Sequence, residues 1–436
     1  MLITIDSLRA DHVHCYGYKR NTTPNIDRFA NEGITFNNAY ANAPYTTGSV
    51  FSLLTSTYSL LRGDKSPDIQ RCVSVAEILK EAGYLTIGVH SNPWFDVYNF
   101  NKGFSIFFDP HKESTIKNGI SPFSRSEEIN ARVLSILKDN PTCHKDNDKG
   151  QFVWVHYMDV HDPYNPEKFF FGPAFDTAKI CELQEKRVSN PPNLSPDEQR
   201  EVIDTYDNCI RYLDEQIASL IHAIGELWDP ERTLVIITSD HGDALNERGV
   251  YGHGGRNRPI HLYDYMLHVP LILWSPSRNS FSKIREIHGN EINIPTGLVD
   301  IPPLILDLMM IQKPRSFLGK NPFLTVSGTP WVFSQGIQAT DPNDFHNLQT
   351  GALISSLRTE NFKFIQKCDH YELYDLLIDP SELENVADKR PDVHKKMKTM
   401  LDEVISHLKK ETQRQELIAA IDRTKRKVLG ITGLKK

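Results

Sequence analysis

Three short apolar runs in this chain each end on side chains suited to a divalent cation. Leu2-Ile3-Thr4-Ile5 leads into Asp6, residues 233–238 lead into Ser239-Asp240-His241-Gly242, and residues 152–155 lead into a segment holding His156 and His161. A carboxylate just past a buried strand lies where open α/β sheets place their active sites. Asp240 and His241 add an oxygen and a nitrogen donor in succession, released by a permissive glycine. A fourth element supplies a hydroxyl. Ala43-Pro44-Tyr45-Thr46-Thr47-Gly48-Ser49 is a turn running into the apolar helix Val50-Phe51-Ser52-Leu53-Leu54. The helix start offers free backbone N–H groups and the positive dipole end to an anion. A threonine hydroxyl alone is a poor nucleophile at neutral pH, and often merely a helix cap. Coordination to a cation lowers its pKa.

The elements that must position these groups alternate between strand and helix. Thr23-Pro24-Asn25 starts a helix, with Thr23 as cap, Pro24 at the first helical position, apolar Ile26, Phe29 and Ala30, and Gly33 as the stop. Residues 34–40 read as a strand, 73–82 as a helix and 85–89 as a strand. Ser195-Pro196-Asp197-Glu198 is a capping box opening a helix to about Leu227. Residues 269–274 are a further strand and 301–310 a helix. Such alternation predicts a mainly parallel sheet covered on both faces. Beyond about residue 320, short strands at 331–335, 353–359 and 362–366 predict a small antiparallel sheet, and a final helix begins near Pro391. The expected division is a catalytic domain over 1–320, a subdomain over 321–390 and a basic helical tail over 391–436.

Composition narrows the class. Of 436 residues, 39% are hydrophobic and 24% charged, ordinary for a globular protein. The net charge of −7 argues against a nucleic-acid partner, which calls for a basic face. Six scattered cysteines form no C-x-x-C pair and read as free thiols. No apolar run approaches the ~20 residues of a transmembrane helix, and no signal peptide is visible, so the expected location is cytoplasmic. Residues 389–436 carry 14 Lys/Arg against 6 Asp/Glu, a solvated face or a contact for an acidic partner or membrane surface.

Asp6-Ser7-Leu8-Arg9-Ala10-Asp11-His12, Cys15-Tyr16-Gly17-Tyr18, Thr23-Pro24-Asn25-Ile26-Asp27 and Tyr40-Ala41 resemble the opening signature of the sulfatase family, within the alkaline phosphatase superfamily. Thr238-Ser239-Asp240-His241-Gly242, His268-Val269-Pro270-Leu271-Ile272, and Glu372-Leu373-Tyr374-Asp375-Leu376 with Asp379-Pro380, Glu382 and Asn385 are similar to later motifs, in the same order. The similarity runs from residue 1 to about 390. It implies an alkaline-phosphatase-like α/β fold with a small C-terminal antiparallel sheet and helix. It also implies a hydrolase for a small anionic ester, sulfate or phosphate, carried on a glycan or lipid.

Carried over by position, the resemblance puts Thr46 at the nucleophile, with Gly48, Ser49 and Val50 where relatives have Pro, Ser and Arg. Asp6, Asp240 and His241 fall on metal positions and, with Thr46, would hold one divalent ion: Mn, Ca, Mg or Zn. Ser7 stands where many relatives have a second acid or amide. His161 resembles a histidine that contacts the substrate anion or leaving group. His253, thirteen residues after Asp240, lies near where relatives put a lysine or histidine over the substrate. Asn92 matches a further substrate-contacting position. The chain also departs from the family. Typical members oxidise Cys or Ser to formylglycine, so a threonine there implies no formylglycine. The usual lysine before the Val-Pro strand is missing from Pro259-Ile260-His261-Leu262-Tyr263-Asp264. Two alternatives follow: a phosphodiesterase or phospho-group transferase of the same superfamily, as in siblings with threonine nucleophiles, and an inactive relative that binds an anion.

Overall fold

Strand β1 (Leu2–Ile5) is buried along its whole length at the centre of an eight-stranded sheet. The remaining strands are β2 (Ile34–Phe36), β3 (Leu85–Val89), β4 (Ile106–Phe108), β5 (Gln151–Tyr157), β6 (Val235–Ser239), β7 (Leu271–Trp274) and β8 (Glu291–Ile292). Their order is β8-β2-β7-β6-β1-β5-β3-β4, parallel except for β7, which runs antiparallel to both β6 and β2. The computed structural model describes residues 1–61, 69–110, 123–141, 150–189, 192–253, 260–277, 279–324, 329–338 and 352–428. Cys143, Pro259 and the last eight residues of the basic tail lie outside these.

Side chains alternate across a strand, so each central strand feeds two cores. Leu2, Trp154, Ile236 and Leu273 point to one, with Val50 and Leu53 of α2 (Thr46–Thr55), Val75 and Leu79 of α3 (Val75–Glu81) and Leu304 of α7 (Ile301–Leu308). Ile3, Ile5, Val153, Val155 and Ile237 point to the other. There Phe29 of α1 (Pro24–Glu32), Val133 of α4 (Ser126–Asp139) and Tyr206 and Ile210 of α6 (Pro196–Gly225) cover them. Helix α5 (Thr177–Val188) precedes α6. Both faces of the sheet are therefore covered, as the alternation predicts.

The C-terminal sheet is a four-stranded antiparallel meander, β9 (Val332–Gln338), β10 (Ala352–Arg358), β11 (Phe362–Lys367) and β12 (His370–Asp375). Phe333, Leu357, Phe364 and Leu373 bury against Met397, Leu401 and Leu408 of α8 (Pro391–Val428). The meander grips the larger sheet through charge. Lys363, with no exposed surface, places Nζ 2.6 Å from Asp264 Oδ1 and 2.9 Å from Glu382 Oε1. No helix among the described residues is long and apolar enough to cross a membrane.

Three local expectations need correction. Thr23 makes no capping bond; its hydroxyl donates to Asp27 Oδ1 (3.0 Å), and the N–H groups of Asn25 and Ile26 are instead taken by Asp214 of α6. Residues 34–40 are two strands, because Asn37 and Asn38 turn the chain away; Ala39–Tyr40 pairs in parallel with Thr296–Gly297 in a separate ribbon. β12 adds a fourth strand to the three expected, one whose apolar residues are interrupted by Glu372. The Ser195–Glu198 capping box forms in both directions, and its helix ends at Gly225.

Candidate active site

The register of β6, β1 and β5 assembles the site. Ile5 pairs with Ser239 on one side and Tyr157 on the other, so Asp6, Asp240 and the 158–164 segment leave the sheet side by side. The Asp6 N–H donates to the Tyr157 carbonyl at 2.9 Å. The chain then turns at Ser7, whose φ of 62° is left-handed. That turn is costly for a residue with a Cβ, and it is held from both sides. Tyr206 of α6 donates its hydroxyl to the Ser7 carbonyl (2.7 Å) and accepts from the Arg9 N–H (3.0 Å). In return the Ser7 N–H donates to Asp240 Oδ1 (3.2 Å) and its Oγ to Asp6 Oδ1 (2.7 Å), fixing both carboxylates.

Thr46 opens α2 and is buried. Its hydroxyl donates to Asp6 Oδ2 at 3.1 Å and lies 3.2 Å from His241 Nε2. His241 Nδ1 is 2.7 Å from the Gly242 carbonyl, an acceptor only, so Nδ1 carries the hydrogen and Nε2 faces Thr46 with its lone pair. Two glycines permit this approach. A Cβ on Gly242 would stand 2.1 Å from the Tyr265 carbonyl oxygen, and one on Gly48 would stand 2.6 Å from the Tyr45 ring. The Ser49 hydroxyl ties α2 to the Asp240 carbonyl at 2.5 Å.

The donor set fits a divalent cation. Asp240 Oδ2 and His156 Nε2 are buried with no hydrogen-bond partner, and Asp6, His156 and Asp240 each place a ligand atom within 4.8 Å of the others. A bare carboxylate oxygen and a bare imidazole nitrogen in a core are costly unless something positive lies between them. Burial pushes the Asp240 carboxyl up, and the neighbouring Asp6 adds to it. Burial also raises the Asp6 carboxyl, but the facing His161, His156 and His241 rings outweigh it and hold Asp6 well below its ordinary value. Burial lowers both His161 and His241, and the Asp6 charge opposes that shift in each.

His161 and His253 stand over this floor. Their ring centroids are 4.9 Å apart, and that of His253 is 4.3 Å from His241. His253 Nδ1 lies 3.1 Å from Asp243 Oδ1, while Asp243 Oδ2 accepts from the Tyr164 hydroxyl. The structure thus brings together Asp6, Thr46, His161, Asp240, His241 and His253. It does not bring Asn92 to them by any bond of its amide. Asn92 Oδ1 accepts from the Trp94 N–H (3.0 Å) and its Nδ2 faces Met158 Sδ, so the residue shapes its own turn. His156 was legible as a strand-end group but fell outside the four-residue metal set. Asp243 sat unread in Asp-His-Gly-Asp, since nothing in the sequence named its partner.

A mixed, mainly parallel sheet with these strand ends and an antiparallel C-terminal meander is the alkaline-phosphatase-like architecture. The chain belongs to the sulfatase family, whose profile, described as Sulfatase, matches residues 1–311. It is 24% identical over 449 residues to the uncharacterized sulfatase YidJ of Escherichia coli K12, spanning 91% of this chain and 85% of that one. It is 25% identical over 349 residues to human iduronate 2-sulfatase, covering 64% of this chain and 60% of that enzyme. In fold it matches the phosphonate monoester hydrolase of Agrobacterium radiobacter with a TM-score of 0.70, at 19% identity over 93% of this chain and 95% of the other.

Proposed function

We propose that the protein is a metal-dependent hydrolase that cleaves a sulfate or phosphate-type ester through an unmodified Thr46. The observation carrying this reading is the Thr46 hydroxyl at the start of α2, 3.1 Å from Asp6 Oδ2 and 3.2 Å from His241 Nε2. Asp6, Asp240, His241 and Thr46 would hold the cation, one of Mn, Ca, Mg or Zn. When bound, it supplies positive charge that acidifies a hydroxyl and polarises the oxygens of an anion.

The chain's own groups then divide the work. Thr46 Oγ1 gives up its proton along its hydrogen bond to Asp6 and bonds to the sulfur or phosphorus. The bond to the leaving oxygen breaks on the opposite side, where His253, oriented by Asp243, donates a proton. His161 holds the anion beside it. In the second step water gives a proton back to His253 and bonds to the sulfur or phosphorus as the bond to Thr46 Oγ1 breaks, and the proton left on Asp6 returns to the Thr46 hydroxyl. A threonine ester lacks the second hydroxyl of a formylglycine hydrate, so this step is slow for a sulfate and easier for phosphate or phosphonate esters. The phosphonate monoester hydrolase fold match and the iduronate 2-sulfatase similarity support the two substrate classes from different sides.

The test is turnover of matched 4-nitrophenyl sulfate, phosphate and phenylphosphonate by metal-stripped protein refilled with Mn, Zn or Ca. Thr46→Ala should remove turnover of whichever ester is cleaved. Turnover that persists in Thr46→Ala would exclude the threonine as nucleophile.

A further inference from the structure

Resting on the metal-dependent reading above, we propose that His156 Nε2 is a direct ligand of the cation, so that the centre carries two imidazoles and selects Mn2+ or Zn2+ over Ca2+. His156 is the penultimate residue of β5, with no exposed surface, beside Thr4 in the register of β1. Its Nδ1 lies 2.8 Å from Thr4 Oγ1. That hydroxyl donates to the Val155 carbonyl (3.3 Å) and accepts from the Trp154 indole N–H (2.9 Å). The Thr4 hydroxyl therefore holds the ring by its Nδ1, as donor or as acceptor, and leaves Nε2 as the free nitrogen.

Nε2 is aimed at the site. It stands 3.4 Å from Asp6 Oδ2 and has no hydrogen-bond partner. A lone pair on Nε2 facing a carboxylate oxygen is repulsive, and two things relieve it: a proton on Nε2, or a cation. The proton would satisfy His156 and leave the buried Asp240 Oδ2 without a partner. A cation satisfies all three groups, whose ligand atoms already lie within 4.8 Å of one another. The tether from Nδ1 to a hydroxyl is the kind of outer contact that fixes a ligating imidazole. His241 is built the same way, with Nδ1 on the Gly242 carbonyl and Nε2 facing inward.

The consequence is selectivity. Ca2+ takes oxygen ligands almost exclusively, whereas a first-row ion accepts imidazole nitrogen as well, Zn2+ more strongly than Mn2+. Two imidazoles with two carboxylates therefore shift preference away from Ca2+.

Pulsed EPR of the full chain loaded with Mn2+ counts the imidazole nitrogens bound to the metal, with stoichiometry read by elemental analysis. The expected result is one ion with two nitrogens, falling to one nitrogen in His156→Gln. Mn2+ affinity should drop at least about tenfold in that variant, with Ca2+ affinity little changed. His241→Asn should also retain one nitrogen, contributed by His156, which guards against a His156 variant that fails to fold. A single nitrogen in the wild-type protein, or two that survive His156→Gln, would overturn the assignment while leaving the metal centre intact. A chain that binds none of Mn2+, Zn2+ or Ca2+ would overturn the metal centre and the assignment together.

Discussion

The imidazole of His253 and the carboxylate of Asp243 face each other at 3.1 Å, Nδ1 to Oδ1, with Asp243 fully buried. Burial alone would raise that carboxyl, yet the His253 ring, with Arg187 and the Tyr164 hydroxyl, holds it well below its ordinary value. An ionised Asp243 can only accept from His253, so it keeps a hydrogen on Nδ1 and leaves Nε2 as the other donor of the ring.

A proton donor matters in proportion to how badly the leaving group needs one. His253→Ala should lower kcat about 10²–10⁴-fold for an alkyl ester, and much less for a 4-nitrophenyl ester, whose phenolate leaves unaided. Asp243→Asn should do the same by a smaller factor, with KM nearly unchanged. The check is the slope of log kcat against leaving-group pKa, which should steepen in both variants. Equal losses for good and poor leaving groups would show that His253 binds the anion rather than protonating the leaving oxygen.

Much of this arrangement could be read before any fold was known, because short-range chemistry carried it. Asp6, Asp240 and His241 follow apolar runs directly, and strand ends are where such groups collect. The Ser195–Glu198 box was equally local. What was missed depends on partners distant in sequence. Asp214, not Thr23, caps α1 because α6 packs across it, 189 positions from Asn25. His156 looks like any strand histidine until Thr4 is seen to hold its Nδ1, 152 positions away. Asn92 is the opposite kind of case, a position suggested by motif whose carbonyl oxygen accepts from the Trp94 N–H of its own turn.

Gly48 has a second role that a motif comparison hides. A Cβ there would lie 2.6 Å from Tyr45 Cε2 and 2.8 Å from the Ala43 Cβ, in a turn that also sets the Thr46 hydroxyl. Gly48→Ala should therefore cost about 1–3 kcal/mol through overpacking, despite the better helix propensity of alanine. It should also lower activity by displacing Thr46. Urea denaturation together with kcat tests both effects; a stabilised variant with full activity would mean that Tyr45 and Ala43 move aside freely.

His261 predicts how the fold responds to acid. Its ring packs against Tyr265, and burial, reinforced by the Arg248 charge, lowers it from 6.5 to about 4. The unfolded chain therefore binds a proton at this residue near pH 6.5 while the folded chain stays neutral until about pH 4. Between those values the unfolded state holds more protons, so stability falls as pH falls, and the loss is complete once pH drops below about 4. That difference corresponds to at most about 3 kcal/mol. His261→Gln keeps a polar group beside Tyr265 but removes the titration. Its urea midpoint should lie below that of the wild type at pH 7, through lost packing, and approach or exceed it at pH 4.5. Parallel midpoints at the two pH values would place the acid sensitivity of the fold elsewhere.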